Sequence, residues 1–133
     1  YLIVTDKGTE LRVRDTGKGC FLTFKSDGNM QRVEIELPIS KQQFDTLAKM
    51  ARGEVILKTR YQIPISYSSE EGIIDTISEL DVYSSPEGLI VAEVEFENTE
   101  EALNFTPPNF FGREVTKDAR FKNKNIALKG IPS

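Results

Sequence analysis

Charged side chains recur at every second residue in several stretches of this sequence. Residues two apart on an extended strand point to the same side and lie about 6–7 Å from each other. Each stretch would therefore carry a short row of charge on one face. Twelve charged residues lie on such faces, nearly all of them two positions from another: six basic ones, Arg12, Arg14, Lys25, Arg32, Lys58 and Arg60, and six acidic ones, Glu34, Glu36, Glu79, Asp81, Glu93 and Glu95.

This combination of charges is suited to phosphate chemistry. Arginine and lysine bind phosphate oxygens, arginine through a bidentate fork. Carboxylates two apart, such as Glu93 and Glu95, can share an Mg²⁺ or Mn²⁺ ion. The same ion would relieve the repulsion of these two charges with each other and with nearby Glu79 and Asp81. Such a metal bridges carboxylates to phosphate and stabilises phosphoryl transfer to water. One Glu-x-Glu pair is a weak signal, whereas all twelve residues together predict a phosphate site with a divalent metal.

Composition excludes several other kinds of chemistry. The 133 residues include no histidine and one cysteine, Cys20. Ser-His-Asp catalysis, histidine-ligated zinc and an intramolecular disulfide are therefore excluded, and the lone thiol suits the reducing cytoplasm. The net charge of −4 argues against nucleic acid as a partner, and no apolar run is long enough to span a membrane. Cys20 alternates with Leu22 and Phe24, which predicts a buried packing role.

The alternation defines the elements that must position these charges. Apolar residues occupy the faces opposite the charged ones, which predicts antiparallel strands with one apolar side. Asp27-Gly28-Asn29 is typical of a hairpin turn, and Ser66 to Gly72 is predicted to be a polar loop. The predicted strands cover residues 1–4, 11–14, 20–25, 32–37, 57–61, 77–83 and 92–96.

Three helices are predicted. Ser40 and Gln43 form a capping box, and the apolar stripe that follows at helical spacing ends at Gly53. This stripe is expected to cover the apolar side of a sheet. Thr99 is expected to cap a short acidic helix, and a last helix is expected from about Lys122 to Lys129.

The fold class is mainly β (α+β), in a single domain over residues 1–133.

Two interpretations of the charged faces remain open from the pattern alone. An antiparallel sheet with one solvated face explains the alternation without any function. A closed barrel would instead turn the charges inward, which is costly unless the lumen holds a polyanion and cations. Periodicity does not separate the two.

Several of these stretches resemble the CYTH family of triphosphate tunnel metalloenzymes, in particular its short bacterial members. The tail, Gly112 to Thr116 followed by Asp118 to Phe121, is similar to the end of those proteins. The resemblance implies an antiparallel eight-stranded tunnel barrel with helices packed outside. It also implies a divalent metal and hydrolysis of inorganic triphosphate or thiamine triphosphate, or adenylate cyclisation. We expect a metal-dependent phosphohydrolase acting on inorganic triphosphate, with a class IV-type adenylate cyclase and a non-catalytic protein that binds triphosphate or polyphosphate as alternatives. The other matching stretches are Leu11–Arg14, Leu22–Lys25, Arg32–Glu36, Lys58–Tyr61, Glu79–Tyr83 and Val91–Glu95.

The resemblance also implies roles for individual residues. Glu93 and Glu95 would bind the metal, and Glu34 and Glu36 would shape the acidic floor or position the attacking water. The phosphates would be held by Arg12, Arg14, Lys25, Lys58 and Arg60.

One departure concerns the amino-terminal end. The family begins with a strand that reads Glu-x-Glu-x-Lys, and this sequence has no such strand. The sequence is therefore either a fragment of an intact enzyme or a degenerate tunnel protein. Because it starts at Tyr1, without Met and in a strand-like segment, we expect that residues are missing upstream. The expected partner is inorganic triphosphate or an organic triphosphate, bound by a monomer or homodimer.

Overall fold

The computed structural model describes residues 1–27 and 32–133, in two compact units. The first comprises residues 1–55 and 120–133, and the second comprises residues 56–119. The predicted turn at Gly28 and Asn29 lies outside the described residues. Both units are built on antiparallel sheets with a few short helices, so the α+β fold class is confirmed.

The first unit contains a four-stranded antiparallel sheet in the order β1-β2-β3-β4. Its strands are β1 (Ile3–Val4), β2 (Glu10–Asp15), β3 (Cys20–Lys25) and β4 (Glu34–Ile39). Helix α1 (Lys41–Ala48) follows β4. A short 3₁₀ helix, Ala119–Phe121, precedes the last helix, Asn123–Lys129, which is named α3 below.

The register of this sheet gathers its charges on one face. Arg12 is paired with Thr23, and Thr23 with Glu36. One step along, Glu10 is paired with Lys25, and Lys25 with Glu34. Paired residues project to the same side, so the predicted alternation is confirmed over β2 and β3. We call this side the basic face; it carries Glu10, Arg12, Arg14, Lys25, Glu34 and Glu36.

Helix α1 lies against the opposite, apolar face. Ser40 accepts a hydrogen bond from the Gln43 backbone, and the Gln43 side chain returns one, so the capping box is confirmed. A cleft under the helix is lined by Leu22 and Ile39 of the sheet and by Leu47 of α1. The helix ends at Ala48 rather than at Gly53. Gly53 instead lies against the carbonyl oxygen of Ala127, where a side chain would not fit.

Strand β4 departs from the expected burial pattern. Val33, Ile35 and Leu37 are 59%, 49% and 52% exposed, although they were predicted to form a packed apolar face. The reason is position: β4 is the edge strand of its sheet, beyond the part that α1 covers.

The second unit contains a three-stranded antiparallel sheet, β5 (Leu57–Ser69), β6 (Gly72–Ser85) and β7 (Glu87–Glu93). The prediction of a loop over Ser66 to Gly72 was wrong, because the strands stay paired up to Ser69 and Gly72. Tyr67 packs on the rings of Phe96 and Phe105, which supports this end of the hairpin.

The prediction that strand β7 would reach Phe96 was also wrong. It ends at Glu93, and Phe96 leaves the sheet to pack on Tyr67. Helix α2 (Thr99–Asn104) follows, and its cap is Asn98 rather than Thr99. The Asn98 Oδ1 atom accepts a 2.8 Å hydrogen bond from the Glu101 backbone, which places Thr99 inside the first turn.

Seven strands are present in the described part of the chain. Their hydrogen bonds join them as four plus three, and no closed barrel is formed by the described strands. None of the helices in the described part of the chain has the length and apolar content that crossing a membrane requires.

Candidate functional site

The cations of the basic face differ in how they are paired. Arg14 lies 3.3 Å from the Glu36 carboxylate in an exposed ion pair. Arg12 and Lys25 have no carboxylate within 4.0 Å among the described residues. Because both are only partly exposed, their charge is incompletely compensated by solvent or protein.

Arg12 shows this most clearly. Its Nε atom is buried and has no hydrogen-bond partner among the described residues. Its guanidinium bonds to the Tyr1 hydroxyl: burial raises the pKa of the Tyr1 phenol, and Arg12 opposes that shift. A buried donor without an acceptor is costly, and an anion bound to Arg12 would satisfy it.

Arg32 is held differently. Its Nε atom donates to the Ser26 carbonyl at 2.8 Å, and Nη2 donates to the Gly8 carbonyl at 2.9 Å. Its Nη2 atom also lies 3.8 Å from the Glu10 carboxylate. These bonds join Arg32 to the segments that contain Ser26 and Gly8, and they leave few of its N–H groups available to a phosphate. The phosphate contact of Arg32 stays a prediction.

Two residues of this region were missed by the sequence reasoning. Glu10 is buried, and its Oε1 atom lies 3.0 Å from the Lys124 Nζ atom of α3. Glu10 continues the alternation of Arg12 and Arg14 by one step toward the amino terminus, so the pattern could have identified it. Nothing in the pattern identifies Lys124, which comes from a distant helix.

The polar face of the second sheet is organised around one carboxylate. Asp81, whose side chain is 3% exposed, accepts 2.7 Å hydrogen bonds from Lys58 Nζ and Arg60 Nε, and Arg60 Nη2 adds one at 2.9 Å. Burial alone would raise the pKa of Asp81, but the bonds from Arg60 and Lys58 outweigh it and hold that pKa below its usual value. Hydrogen bonding to Asp81 likewise raises the pKa of Arg60.

Three further carboxylates, Glu79, Glu93 and Glu95, line one cleft of about 330 Å³ together with Gln62, Thr76 and Ile77. Glu79 and Glu93 are direct cross-strand partners, an arrangement in which like charges repel. Glu79 lies 2.5 Å from Arg60 Nη1, whereas Glu93 and Glu95 have no cation within 4.0 Å among the described residues. We call the side that carries Glu79, Asp81 and Glu93 the acidic face; Glu95 follows its last strand and lines the same cleft.

The acidic face offers the donors that a hard cation prefers. Mg²⁺ and Mn²⁺ take oxygen ligands, and Mg²⁺ is commonly held by one or two carboxylates with phosphate oxygens and waters completing its shell. Within the described residues, no group of three or more acidic, histidine or cysteine side chains is close enough to hold a metal by itself. Glu93 and Glu95 could supply two oxygen ligands of such a shell, and Asp81 is least suited because its oxygens are engaged by Lys58 and Arg60.

Comparison with known proteins gives consistent relatives. The chain is 40% identical over 131 residues to an inorganic triphosphatase of Nitrosomonas europaea, covering 96% of this chain and 81% of that protein. It is 31% identical over 127 residues to an inorganic triphosphatase of Acetivibrio thermocellus, covering 93% and 75%. The crystal structure of the inorganic triphosphatase NE1496 is similar, with a TM-score of 0.72 at 39% identity, covering 100% of this chain and 84% of that one. No family model matches the chain.

Proposed function

The chain belongs to the inorganic triphosphatase family, and on that premise we propose that it hydrolyses inorganic triphosphate with the help of Mg²⁺ or Mn²⁺. The observation that carries the proposal is the distribution of unpaired charge. Arg12 and Lys25 lack carboxylate partners on one sheet, and Glu93 and Glu95 lack cationic partners on the other, within the described residues. A polyphosphate needs the first pair, and its metal needs the second.

The basic residues bind and orient the substrate in this proposal. Arg12 donates its unsatisfied Nε–H to a phosphate oxygen, and Lys25 contributes a second charge from the neighbouring strand. Lys58 and Arg60 are also proposed phosphate ligands, but Asp81 already binds both and Arg60 also contacts Glu79. Only the N–H groups left over from these bonds could contact phosphate oxygens. Arg14 is a weaker candidate because Glu36 already neutralises it.

The metal would be held by Glu93 and Glu95, with Glu79 beside them in the same cleft. When bound, Mg²⁺ or Mn²⁺ supplies Lewis-acid stabilisation of the charge that builds on the phosphate oxygens. Arg60, which contacts Glu79 and Asp81, limits the repulsion among the carboxylates. Because Arg60 pairs with the Glu79 carboxylate, Glu79 can lie close to the proposed metal ligands with less repulsion from their negative charges.

Glu34 and Glu36 are proposed to position the water that attacks the terminal phosphorus. They lie on β4, on the same face as Arg12 and Lys25. Glu36 is fixed by Arg14 and by the Thr23 hydroxyl, at 3.3 and 3.4 Å. Hydrolysis transfers the terminal phosphoryl group to that water oxygen and breaks the anhydride bond to pyrophosphate.

We extend the proposal to the architecture and setting of the enzyme. It is a single triphosphate tunnel domain of the CYTH type, an eight-stranded barrel, acting in the cytoplasm as a monomer or homodimer. The antiparallel sheets and the free, buried Cys20 support this view. A crystal structure with triphosphate and metal bound would test the tunnel, and would contradict it if the ligand lay on an open sheet surface.

The activity is tested by phosphate release from inorganic triphosphate, titrated with Mg²⁺ and Mn²⁺, with metal-free protein as the control. We expect release that requires the metal. ATP in parallel tests the cyclase alternative through cyclic AMP, and calorimetry tests binding without turnover. Cyclic AMP without phosphate release, or tight binding without any release, would each contradict the hydrolase.

A further inference from the structure

Glu10 is a buried carboxylate in the middle of proposed phosphate ligands. It lies on the basic face, two residues before Arg12, and its cross-strand partner is Lys25. Its nearest cations by position would therefore be those two residues. Its oxygen instead lies 3.0 Å from Lys124 of α3 and 3.8 Å from Arg32. The carboxylate is thus occupied by cations that the proposed site does not use.

Helix α3 is firmly fixed, which makes this contact a defined one. Ile126 and Ala127 are 0% and 2% exposed, and the Ala127 carbonyl accepts a 2.7 Å hydrogen bond from the Glu54 backbone. Lys124 lies on the same short helix, and its side chain is 16% exposed, against 11% for Glu10. Because the pair is largely removed from water, its attraction is less screened than that of a surface pair.

Without Lys124, the charge of Glu10 would act on its other neighbours. A largely buried carboxylate seeks a cationic or hydrogen-bonding partner, and Lys25 and Arg12 are the neighbours on its own face. Either contact would compete directly with a phosphate oxygen for the same N–H groups.

We propose that Lys124 is a positioning residue that occupies Glu10, and thereby keeps Lys25 and Arg12 available to the triphosphate. The inference rests on the proposed function, in which those two residues bind phosphate. It assigns to the last helix a role in substrate affinity.

The test compares Lys124→Met with Lys129→Met, a control on the exposed end of the same helix. We expect Lys124→Met to raise KM for inorganic triphosphate about three- to ten-fold, as when one charged contact is partly lost, with little change in kcat. Calorimetric Kd for triphosphate without metal should rise in the same proportion. The control should leave both constants unchanged.

Three further variants separate this role from a purely structural one. Lys124→Arg keeps the cation and should keep the wild-type KM. Glu10→Gln removes the competing charge and should keep or lower KM, and adding it to Lys124→Met should restore the wild-type value. A merely structural contact predicts the reverse, with KM raised by Glu10→Gln and no rescue in the double variant. These arms decide the question even if Lys124→Met unfolds.

The outcomes separate a failure of the proposed function from a failure of the role of Lys124. A wild-type protein that neither binds nor hydrolyses inorganic triphosphate overturns the proposed function. Wild-type binding with an unchanged KM in a folded Lys124→Met variant, or a raised KM in folded Glu10→Gln, overturns only the role of Lys124.

Discussion

The two sheets use the same alternation of charge but pair their charges in opposite ways. On the basic face, Arg12 and Lys25 have no carboxylate within 4.0 Å in the part of the chain that the structure describes, and the ion pair of Arg14 with Glu36 is exposed. On the acidic face, the situation is inverted. Both cations are bound to the buried Asp81, and the carboxylates of Glu93 and Glu95 are the unpaired charges among the described residues.

This contrast shows that pairing, rather than the number of charges, identifies ligand-binding residues. A paired charge already has its electrostatic partner and contributes mainly to structure. An unpaired charge in a partly buried position costs free energy that a ligand of opposite sign can recover. By this criterion, Arg12 and Lys25 of the first sheet are suited to anions. Glu93 and Glu95 are exposed, so their suitability for a cation depends instead on their lining one cleft with Glu79.

The largest expected effect is at the acidic face. Glu93→Gln should reduce metal-dependent phosphate release by about 100-fold or more, because it removes a proposed metal ligand while keeping the side-chain shape. The fold should remain stable, since relieving the repulsion with Glu79 offsets any lost contact. Phosphate release and thermal melting, each with and without metal, measure both effects.

The matched control for this experiment is Glu87→Gln at the other end of β7. It removes the same charge away from the cleft and should retain wild-type turnover. Full metal-dependent turnover in Glu93→Gln would refute its assignment as a metal ligand.

The next effect concerns stability. Asp81→Asn should lower the free energy of unfolding by about 2–4 kcal/mol, because it leaves Lys58 and Arg60 without their shared buried partner. Glu36→Gln breaks the exposed pair with Arg14 and should cost less than about 1 kcal/mol. Urea denaturation of both variants measures the contrast, and equal losses would show that the two faces do not differ as described.

A smaller effect separates the two arginines of β2. Arg12→Ala should weaken triphosphate binding by about 1.5–3 kcal/mol, because a charged hydrogen bond is lost. Arg14→Ala should weaken it less, because Glu36 already occupies that guanidinium. Calorimetric titration with inorganic triphosphate gives both values, and wild-type affinity in Arg12→Ala would remove the basis for phosphate binding at the basic face.

Much of the fold could be predicted because it depends on local periodicity. The faces of β2 and β3, the capping box at Ser40 and the helix over residues 123–129 follow from the spacing of apolar and polar residues. The errors in the strand ends arose where contacts between residues far apart in the sequence determine the structure. The edge-to-face contact of Phe96 with Tyr67 accompanies the early end of β7 and the longer β5–β6 hairpin, and no local pattern signals that contact.

The candidate site was predictable as a set of residues but not as a set of pairings. Alternation placed Asp81 with Lys58 and Arg60 on one face, yet it could not tell a metal ligand from a carboxylate engaged by two cations. That distinction depends on burial and on cross-strand register, which the sequence of one strand does not contain. The contact of Glu10 with Lys124 joins residues far apart in the chain and was unpredictable for the same reason.

The smallest expected effect is a pH dependence that belongs to the acidic face. Bonds from Arg60 and Lys58 hold the pKa of Asp81 below 3.8, so this group stabilises the fold fully above that pH and loses its contribution as the pH falls through the lowered pKa. The difference in unfolding free energy between wild type and Asp81→Asn should therefore be constant from about pH 5 to pH 8 and shrink below about pH 4. Urea denaturation across this pH range measures the difference. Glu36→Gln is the control, because its difference from wild type is small at every pH and can shrink only a little. A difference that grew toward acid would mean that Asp81 is more easily protonated in the folded state than in the unfolded one, contrary to its pairing with two cations.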